Sequence, residues 1–168
     1  MIDLRDGAIS LRPWRPDDAP AVYAACQDAE LQRWLPGIPR PYTEDHARAF
    51  VTSGSPHSLA VILDDRMVGS LGLHLAGGDT GSIGYWSVRE MRGRGIMTRA
   101  ARTLCRHAFE HLDIARLELT ADPDNTASLR VAAKVGFQRE GVLRSHLAHP
   151  DGHRRDSVMF SLLPVELR

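Results

Sequence analysis

Three arginines and two glycines lie close together in MRGRGIMTRAA, residues 91–101, and could bind a phosphate group. The segment follows a strand-like run, SIGYWSV, and leads into apolar residues at helical spacing. The first backbone N–H groups of a helix lack partners within the helix, and the helix dipole is positive at that end. Glycines let an anion approach this backbone closely because they carry no Cβ. The segment therefore predicts a phosphate or pyrophosphate site; a surface turn with solvated arginines is the alternative.

Two common nucleotide-binding motifs fit this turn poorly. The P-loop, G-x-x-x-x-G-K-[S/T], is excluded because the segment has neither its spacing nor its lysine. The dinucleotide fingerprint G-x-G-x-x-G matches Gly93 and Gly95, and Asp122 ends the following strand, but Thr98 stands at the third glycine position. The fold that uses this fingerprint normally repeats its β-α-β unit, whereas the chain offers one. A different phosphate-bearing ligand is therefore indicated.

The elements that must position the turn follow from hydrophobic periodicity, which predicts the order β, α, α, a run of strands, α, β, α, β, β. The predicted segments are the strand AISLRPW; the helices APAVYAACQDAELQRWL and EDHARAFV, the second capped by Thr43; the strands SLAVILDD, RMVGSLGLHL and SIGYWSV; a long helix from Ile96; the strand ARLELTA; the helix NTASLRVAAKVGF, ended by Gly136; and the strands FQREGVLRSHLA and RRDSVMFSLL. AGGDTG and HPDG are predicted turns.

The composition is that of an ordinary soluble domain with an apolar core. The 168 residues predict one domain, 1–168, with 43% hydrophobic and 25% charged residues. Lys plus Arg and Asp plus Glu number 21 each, which disfavours a general nucleic-acid or membrane-surface binder. Cys26 and Cys105 have no metal-ligand spacing, and Cys105 is predicted to be buried. Because no signal-like or membrane-spanning apolar segment is present, we expect a cytoplasmic protein.

Several stretches in the same order resemble the GNAT superfamily of N-acetyltransferases. That superfamily has [Q/R]-x-x-G-x-[G/A] before its third helix; Arg92 and Gly95 match, and Met97 replaces the usual small residue. DPDNTASLRVAAKVGF resembles its second hallmark, an Asn followed by a short helix that ends in G-F. The combination GYW…RGRGIMT…DPDN.AS…GF..EGVLR…DG..RDSV, with LRPWRPDDA near the start, is similar to the branch that acetylates N-terminal amines of ribosomal proteins.

The resemblance implies an α/β (α+β) GNAT fold, whose mixed central β-sheet has splayed fourth and fifth strands and is flanked by helices. It also implies acetyl-CoA as co-substrate, with its pyrophosphate on the turn and its pantetheine arm between the splayed strands. SIGYWSV corresponds to the fourth strand, whose bulge would leave an N–H free to stabilise an oxyanion. The residues expected to bind the coenzyme are Trp86, Ser87, Val88, Arg92, Gly93, Arg94, Gly95, Ile96, Met97, Thr98, Asn125 and Ser128. No metal is expected.

The resemblance also assigns roles on the short helix. Asn125 is expected to contact the pantetheine arm, although an Asn at this position also caps a helix. Most of the superfamily has a Tyr acid at the position of Ala132, so that acid is missing here. The ribosomal-protein branch instead carries a Ser at the position of Ser128, which makes Ser128 the candidate that stabilises or protonates the leaving thiolate. A helix-surface hydroxyl is the alternative.

The base and the acceptor are less well defined. The glutamate of the ribosomal-protein branch aligns with Leu147, so the candidate bases are His146, His74 and a chain of water molecules; imidazoles titrate near ~6.5. The expected acceptor is a peptide or protein N-terminal α-amine. A small amine such as an antibiotic, another acyl-CoA and a non-catalytic acyl-CoA sensor are the alternatives. The expected partners are acetyl-CoA, the amine and a second copy in a homodimer, with neither nucleic acid nor membrane.

Overall fold

The computed structural model of the chain describes residues 2–53, 55–75, 77–149 and 151–168. Within these ranges eight strands form one sheet: β1 (Leu4–Asp6), β2 (Ile9–Pro13), β3 (Ser58–Leu63), β4 (Arg66–Leu75), β5 (Thr80–Ser87), β6 (Arg116–Ala121), β7 (Gln138–Ala148) and β8 (Arg154–Leu162). The α-helices are α1 (Ala19–Cys26), α2 (Ala29–Trp34), α3 (Glu44–Thr52), α4 (Ile96–His111) and α5 (Thr126–Val135). The predicted turns AGGDTG and HPDG each contain a residue outside the described ranges, Ala76 and Pro150.

The sheet opens in its middle, between β5 and β6. The strand order is β1-β2-β3-β4-β5-β6-β8-β7, and β5 and β6 are parallel whereas the other neighbours are antiparallel. β5 pairs with β6 only from Thr80 to Ser82, opposite residues 116–118, although β5 continues to Ser87. The two strands therefore diverge beyond Ser82, as the resemblance to the GNAT superfamily implies for this pair, and leave a gap in a mixed α/β sheet.

Helix α4 packs on one face of the sheet. Its apolar residues recur every three or four positions, so they form one stripe that packs on the sheet. Within this stripe Leu104 and Cys105 are fully buried, which confirms the prediction for Cys105. Helix α5 lies on the same face, since its Ala132 and Val135 belong to the same core cluster as the stripe of α4.

A second, smaller cluster lies between the opposite face of the sheet and helices α1 to α3. Val22, Leu31 and Tyr42 are buried in it, and Trp86 of β5 packs against it. Thr43 caps α3 through a hydrogen bond from the backbone N–H of His46, as predicted. The two faces thus have different roles: α4 and α5 cover one of them, and α1 to α3 cover part of the other.

The structure differs from the sequence-based assignment at the first helical segment. The sequence predicts one helix over APAVYAACQDAELQRWL, but the chain forms α1 and α2, which are separated at Gln27 and Asp28. The carboxylate of Asp28 accepts a hydrogen bond from the N–H of Glu30 and so caps a new helix. An Asp that bonds the backbone in this way competes with continuation of the preceding helix. The short strand β1 was also not predicted.

Neither a membrane-spanning helix nor a metal site is found in the described part of the chain. There, no helix combines the length and the apolar character needed to cross a bilayer. Across the same ranges, no group of three or more His, Cys, Asp or Glu side chains is placed to hold a metal ion.

Candidate active site

The turn before α4 has the backbone geometry of an anion site. Gly93 and Gly95 have φ values of 75° and 74°, in the left-handed region that favours glycine. Gly95 is the N-cap of α4, so the free N–H groups of the first turn follow it directly. A Cβ added at either glycine would have no atom within 4 Å, which means that the space beside this backbone is open. The turn therefore fits a pyrophosphate group.

Arg92 has a different role from the one expected. Its guanidinium forms ion pairs with Asp28 at 2.5 Å and Glu30 at 2.7 Å, and it donates to the carbonyl oxygen of Ser87 at 3.3 Å. Partial burial opposes ionisation of Asp28, but the hydrogen bonds from Arg92 and from the N–H of Glu30 hold the pKa of that carboxyl below its usual value. The side chain of Arg92 thus ties the turn to α2. Its remaining N–H groups are not used in these contacts, so the expected contact with a phosphate stays a prediction.

A cavity of about 290 Å³ extends from this turn towards the gap in the sheet. Its walls come from α2, the end of β5, the first turn of α4 and one face of α5. Of the residues expected to bind the coenzyme, all line the cavity except Val88 and Arg94. The volume is at the lower end of the ~300–1,000 Å³ of typical ligand pockets, which suits a thin pantetheine arm better than a whole nucleotide.

The end of β5 lacks the predicted bulge. Its register with β4 is continuous from Gly81 to Ser87, and the only shift nearby lies in the β3–β4 pairing. Val88 donates its N–H to the carbonyl of Val68 at 3.0 Å. Because backbone groups alternate in direction along a strand, those of Tyr85 and Ser87 face the gap instead. The divergence of β6, rather than a bulge, leaves these groups without a neighbouring strand.

Asn125 and Ser128 meet at the start of α5, on the cavity wall. The side-chain oxygen of Asn125 accepts the N–H of Ser128 at 3.1 Å, so Asn125 caps the helix. Asp122 fixes the preceding turn, because its carboxylate accepts the N–H of Asp124 at 2.8 Å. Both residues therefore lie on the wall of the cavity that the glycine turn also lines.

Tyr85 is a third polar group at this place, and the sequence analysis did not select it. Its hydroxyl lies 2.9 Å from the Oγ of Ser128, and its ring comes from β5, across the gap from α5. Burial raises the pKa of this phenol to about 12, with the hydrogen bond to Ser128 acting in the opposite direction. A phenol with such a pKa stays protonated at neutral pH and acts as a hydrogen-bond donor.

The two histidines proposed as bases do not line the cavity. His146 lies at an irregularity of β7 beside Ser145, whose φ is 55°, and its Nδ1 is 3.0 Å from the buried Oγ of Ser157. His74 is exposed on β4, opposite Ser82 of β5. Leu73 and Val158 belong to the core under α4 and α5, so the side chains next to them, His74 and Ser157, point to the opposite face of the sheet. His146 lies on that same face because it contacts Ser157. The cavity thus contains neither of them.

A second, more polar cleft of about 750 Å³ adjoins α2, the end of β6 and the β7–β8 turn. The charges on its walls are balanced, since they comprise Asp122, Asp124, Asp151, Asp156, Arg33, Arg40, Arg154 and Arg155. Arg155 lines this cleft, where it pairs with Asp122 at 3.0 Å and donates to the carbonyl of Trp34 at 3.4 Å. Trp34 in turn lines the first cavity. The two openings therefore share α2 as a common wall.

Comparison with known proteins agrees with this geometry. The family described as "Acetyltransferase (GNAT) domain" matches residues 9–138. A relative from Bacillus subtilis, whose name describes it as a candidate ribosomal N-acetyltransferase, YdaF, is 30% identical over 170 residues, covering 94% of this chain and 92% of its own length.

Solved structures of the same kind superpose closely on the chain. An acetyltransferase of the GNAT family from Bacillus anthracis has a TM-score of 0.89 at 25% identity, with 96% of this chain and 98% of that chain covered. RimJ from Mycobacterium smegmatis, solved in complex with CoA-disulfide, has a TM-score of 0.83 at 30% identity, with coverages of 99% and 88%. These superpositions confirm the predicted fold.

Proposed function

We propose that this chain, which belongs to the acetyltransferase (GNAT) domain family, transfers the acetyl group of acetyl-CoA to the α-amine of a peptide or protein N-terminus. Membership of the family makes the chain an acyl-CoA-dependent N-acetyltransferase. The cavity that joins the glycine turn to the gap between β5 and β6 is the observation that carries the proposal for this particular site. The similarity to YdaF, whose name describes a candidate ribosomal N-acetyltransferase, supports the choice of a protein amine as acceptor.

Acetyl-CoA supplies an activated thioester whose thiolate is a good leaving group. The free N–H groups after Gly95 bind the pyrophosphate, and Asn125 lines the path of the pantetheine arm. The backbone N–H groups of Tyr85 and Ser87 face the gap, where either can stabilise an oxyanion. Ser128 provides a hydroxyl on the same cavity wall for the departing sulfur. Each of these tasks is assigned to a group of the chain itself.

Arg130 and Lys134 form a pair of cations that can bind a further phosphate of the coenzyme. They lie four residues apart on α5, both are exposed, and both line the cavity. Coenzyme A carries a 3′-phosphate besides its pyrophosphate, and these cations fit that third phosphate. Exposed cations contribute modestly, at most about 1 kcal/mol each.

The double variant Arg130→Ala/Lys134→Ala is expected to bind CoA about tenfold more weakly, which corresponds to about 1.4 kcal/mol. Its affinity for dephospho-CoA should equal that of the unaltered protein, because dephospho-CoA lacks the 3′-phosphate. Isothermal titration calorimetry measures both affinities. Arg66→Ala/Arg106→Ala removes the same charge elsewhere and serves as the control. Equal losses for CoA and dephospho-CoA would assign the two cations to another part of the ligand.

The lack of a free base in the cavity favours an α-amine acceptor. Glu30 is the one carboxylate among the described residues of its wall, and it is paired with Arg92. A peptide α-amine has a pKa near ~7.7–8.0 and is partly neutral at physiological pH, whereas an alkyl amine near ~10.4 is almost fully protonated. An α-amine can thus lose its proton to water, with His146 and His74 as candidates for the outer end of a water chain.

The polar cleft beside the cavity supports a peptide rather than a polyamine acceptor. A polycation binds best to a surface with excess negative charge, but four arginines balance the four aspartates of this cleft. A peptide presents both charges and backbone hydrogen-bonding groups, which such a mixed surface can match. We place the rest of the acceptor peptide in this cleft, with its α-amine directed past α2 to the gap.

Release of CoA from acetyl-CoA, followed with a thiol reagent, tests the proposed function with an acceptor panel. The panel contains a lysine-free peptide with a free N-terminus, an N-terminally blocked peptide with one lysine, spermidine and an aminoglycoside. We expect turnover with the first peptide, at a rate that rises with pH through the α-amine pKa near ~8. If only spermidine or the aminoglycoside is acetylated, the acceptor is a small molecule and the proposal of a peptide acceptor is wrong.

A further inference from the structure

Tyr85 and Ser128 form a contact that joins the two halves of the active site. The hydroxyl of Tyr85 is 2.9 Å from the Oγ of Ser128 and 3.3 Å from its carbonyl oxygen. The phenol comes from β5 and the serine from α5, so the contact bridges the gap that the diverging strands leave. Both side chains line the cavity.

Either hydroxyl can donate in this hydrogen bond, and the carbonyl of Ser128 offers the phenol a second acceptor. A phenol has one proton to donate, and the Oγ is the nearer of its two acceptors. The carbonyl of Ser128 lies inside α5, where carbonyls already accept the N–H four residues further on. When Tyr85 donates to the Oγ, the proton of Ser128 is free to point into the cavity. Accepting a hydrogen bond also makes the serine a stronger donor.

We propose that Tyr85 is a positioning residue, whose hydroxyl holds Ser128 so that the serine proton is presented to the sulfur of the departing CoA. This inference rests on the proposed function of the cavity. Neither side chain gives up its proton: the electron pair of the broken C–S bond goes to sulfur, the amine nitrogen forms the new C–N bond and loses a proton, and sulfur gains a proton through solvent. The serine hydroxyl only stabilises the thiolate before that proton arrives.

The surroundings keep the phenol in its donor form. Burial raises its pKa to about 12, well above the ~8.5 of an ordinary thiol. Cys105 of α4, in the core cluster that Tyr85 packs against, is a neutral thiol because burial raises its pKa to about 12 as well. The charged groups that face the same cavity are Glu30 and Arg92, which pair with each other, and Arg130 and Lys134 of α5. Tyr85 thus stays protonated while a bound thiol titrates.

Titration of the thiol of bound CoA, followed by the ultraviolet absorbance of the thiolate, reports on the pair without turnover. In the unaltered protein we expect the thiol pKa of bound CoA to lie below that of free CoA. Tyr85→Phe should raise this thiol pKa by about 0.5–1 pH units, as expected for the loss of one neutral hydrogen bond. It should also lower kcat without changing the KM for acetyl-CoA. Tyr23→Phe removes a phenol outside the cavity and should change neither the thiol pKa nor kcat.

The double variant separates positioning from a general structural effect. In a Ser128→Ala background, Tyr85→Phe should leave the thiol pKa unchanged, because the group that it positions is absent. Equal effects of Tyr85→Phe with and without Ser128 would overturn the proposal, and so would a thiol pKa that Tyr85→Phe does not alter. If the unaltered protein acetylates no amine, the proposed function fails, but the titration still shows whether the pair acts on the thiol.

Discussion

Replacement of Gly95 by valine is expected to lower the affinity for CoA at least about 100-fold, or about 2.7 kcal/mol. Gly95 has a φ of 74° and caps α4, and the space beside it is open. A valine would place a branched side chain where the pyrophosphate approaches the free N–H groups. It would also strain the backbone, because residues with a Cβ disfavour positive φ by about 1–2 kcal/mol.

A matched glycine separates the loss of the ligand site from this backbone strain. Gly78 also has a φ of 74° and no atom within 4 Å of an added Cβ, but it lies in the β4–β5 turn, away from the cavity. Gly78→Val should therefore lower thermal stability to a similar extent and leave the CoA affinity unchanged. Calorimetry measures the CoA affinity of both folded variants. An unchanged affinity of Gly95→Val would show that the glycine turn does not bind the coenzyme.

The second large effect is expected for Asp122→Ala, which should lower the free energy of unfolding by about 2–4 kcal/mol. Its carboxylate pairs with Arg155 at 3.0 Å, and the two side chains are 16% and 11% exposed. The Nε of Arg155 is buried and has no hydrogen-bond partner in the described residues. Asp122→Ala would leave this guanidinium with the carbonyl of Trp34 as its remaining partner. Removing one member of a mostly buried pair leaves an uncompensated charge.

Urea denaturation of Asp122→Ala and Asp124→Ala tests this expectation. Asp124 is the control because its side chain is 79% exposed and lies 4.0 Å from Arg33, so its loss should change stability by less than about 1 kcal/mol. Asp122→Leu combined with Arg155→Met should recover much of the lost stability, since apolar residues can replace a buried pair. Equal stabilities of Asp122→Ala and the unaltered protein would show that the pair is solvated.

Local signals explain which parts of the site the sequence predicts. The glycines of RGRG require positive φ, and the apolar spacing after Ile96 indicates a long helix, so the anion site is visible in one short segment. The capping role of Asn125 is also local, because an Asn before a helical pattern caps the helix, whereas its contact with the pantetheine arm is expected only from the resemblance to the GNAT superfamily. Each of these features depends on neighbours within a few positions of the chain.

The features that the sequence did not predict depend on contacts between distant segments. Tyr85 and Ser128 are 43 positions apart, and Arg92 is 64 positions from Asp28, so no local pattern connects them. The break between α1 and α2 was missed because the residues around Asp28 are compatible with helical periodicity; the capping bond that ends the helix appears only in three dimensions. The same holds for the end of β5, where divergence from β6 replaces the expected bulge.

Acetylation of one peptide that carries both a free α-amine and a lysine tests the central claim most directly. The peptide is incubated with acetyl-CoA and the protein, and fragmentation mass spectrometry locates the acetyl group. We predict one acetyl group on the α-nitrogen for each CoA released, and none with Gly95→Val at the same concentrations. Acetyl found on the lysine, or a peptide left unmodified while CoA binds at the glycine turn, would contradict the assignment of an N-terminal α-amine as the acceptor.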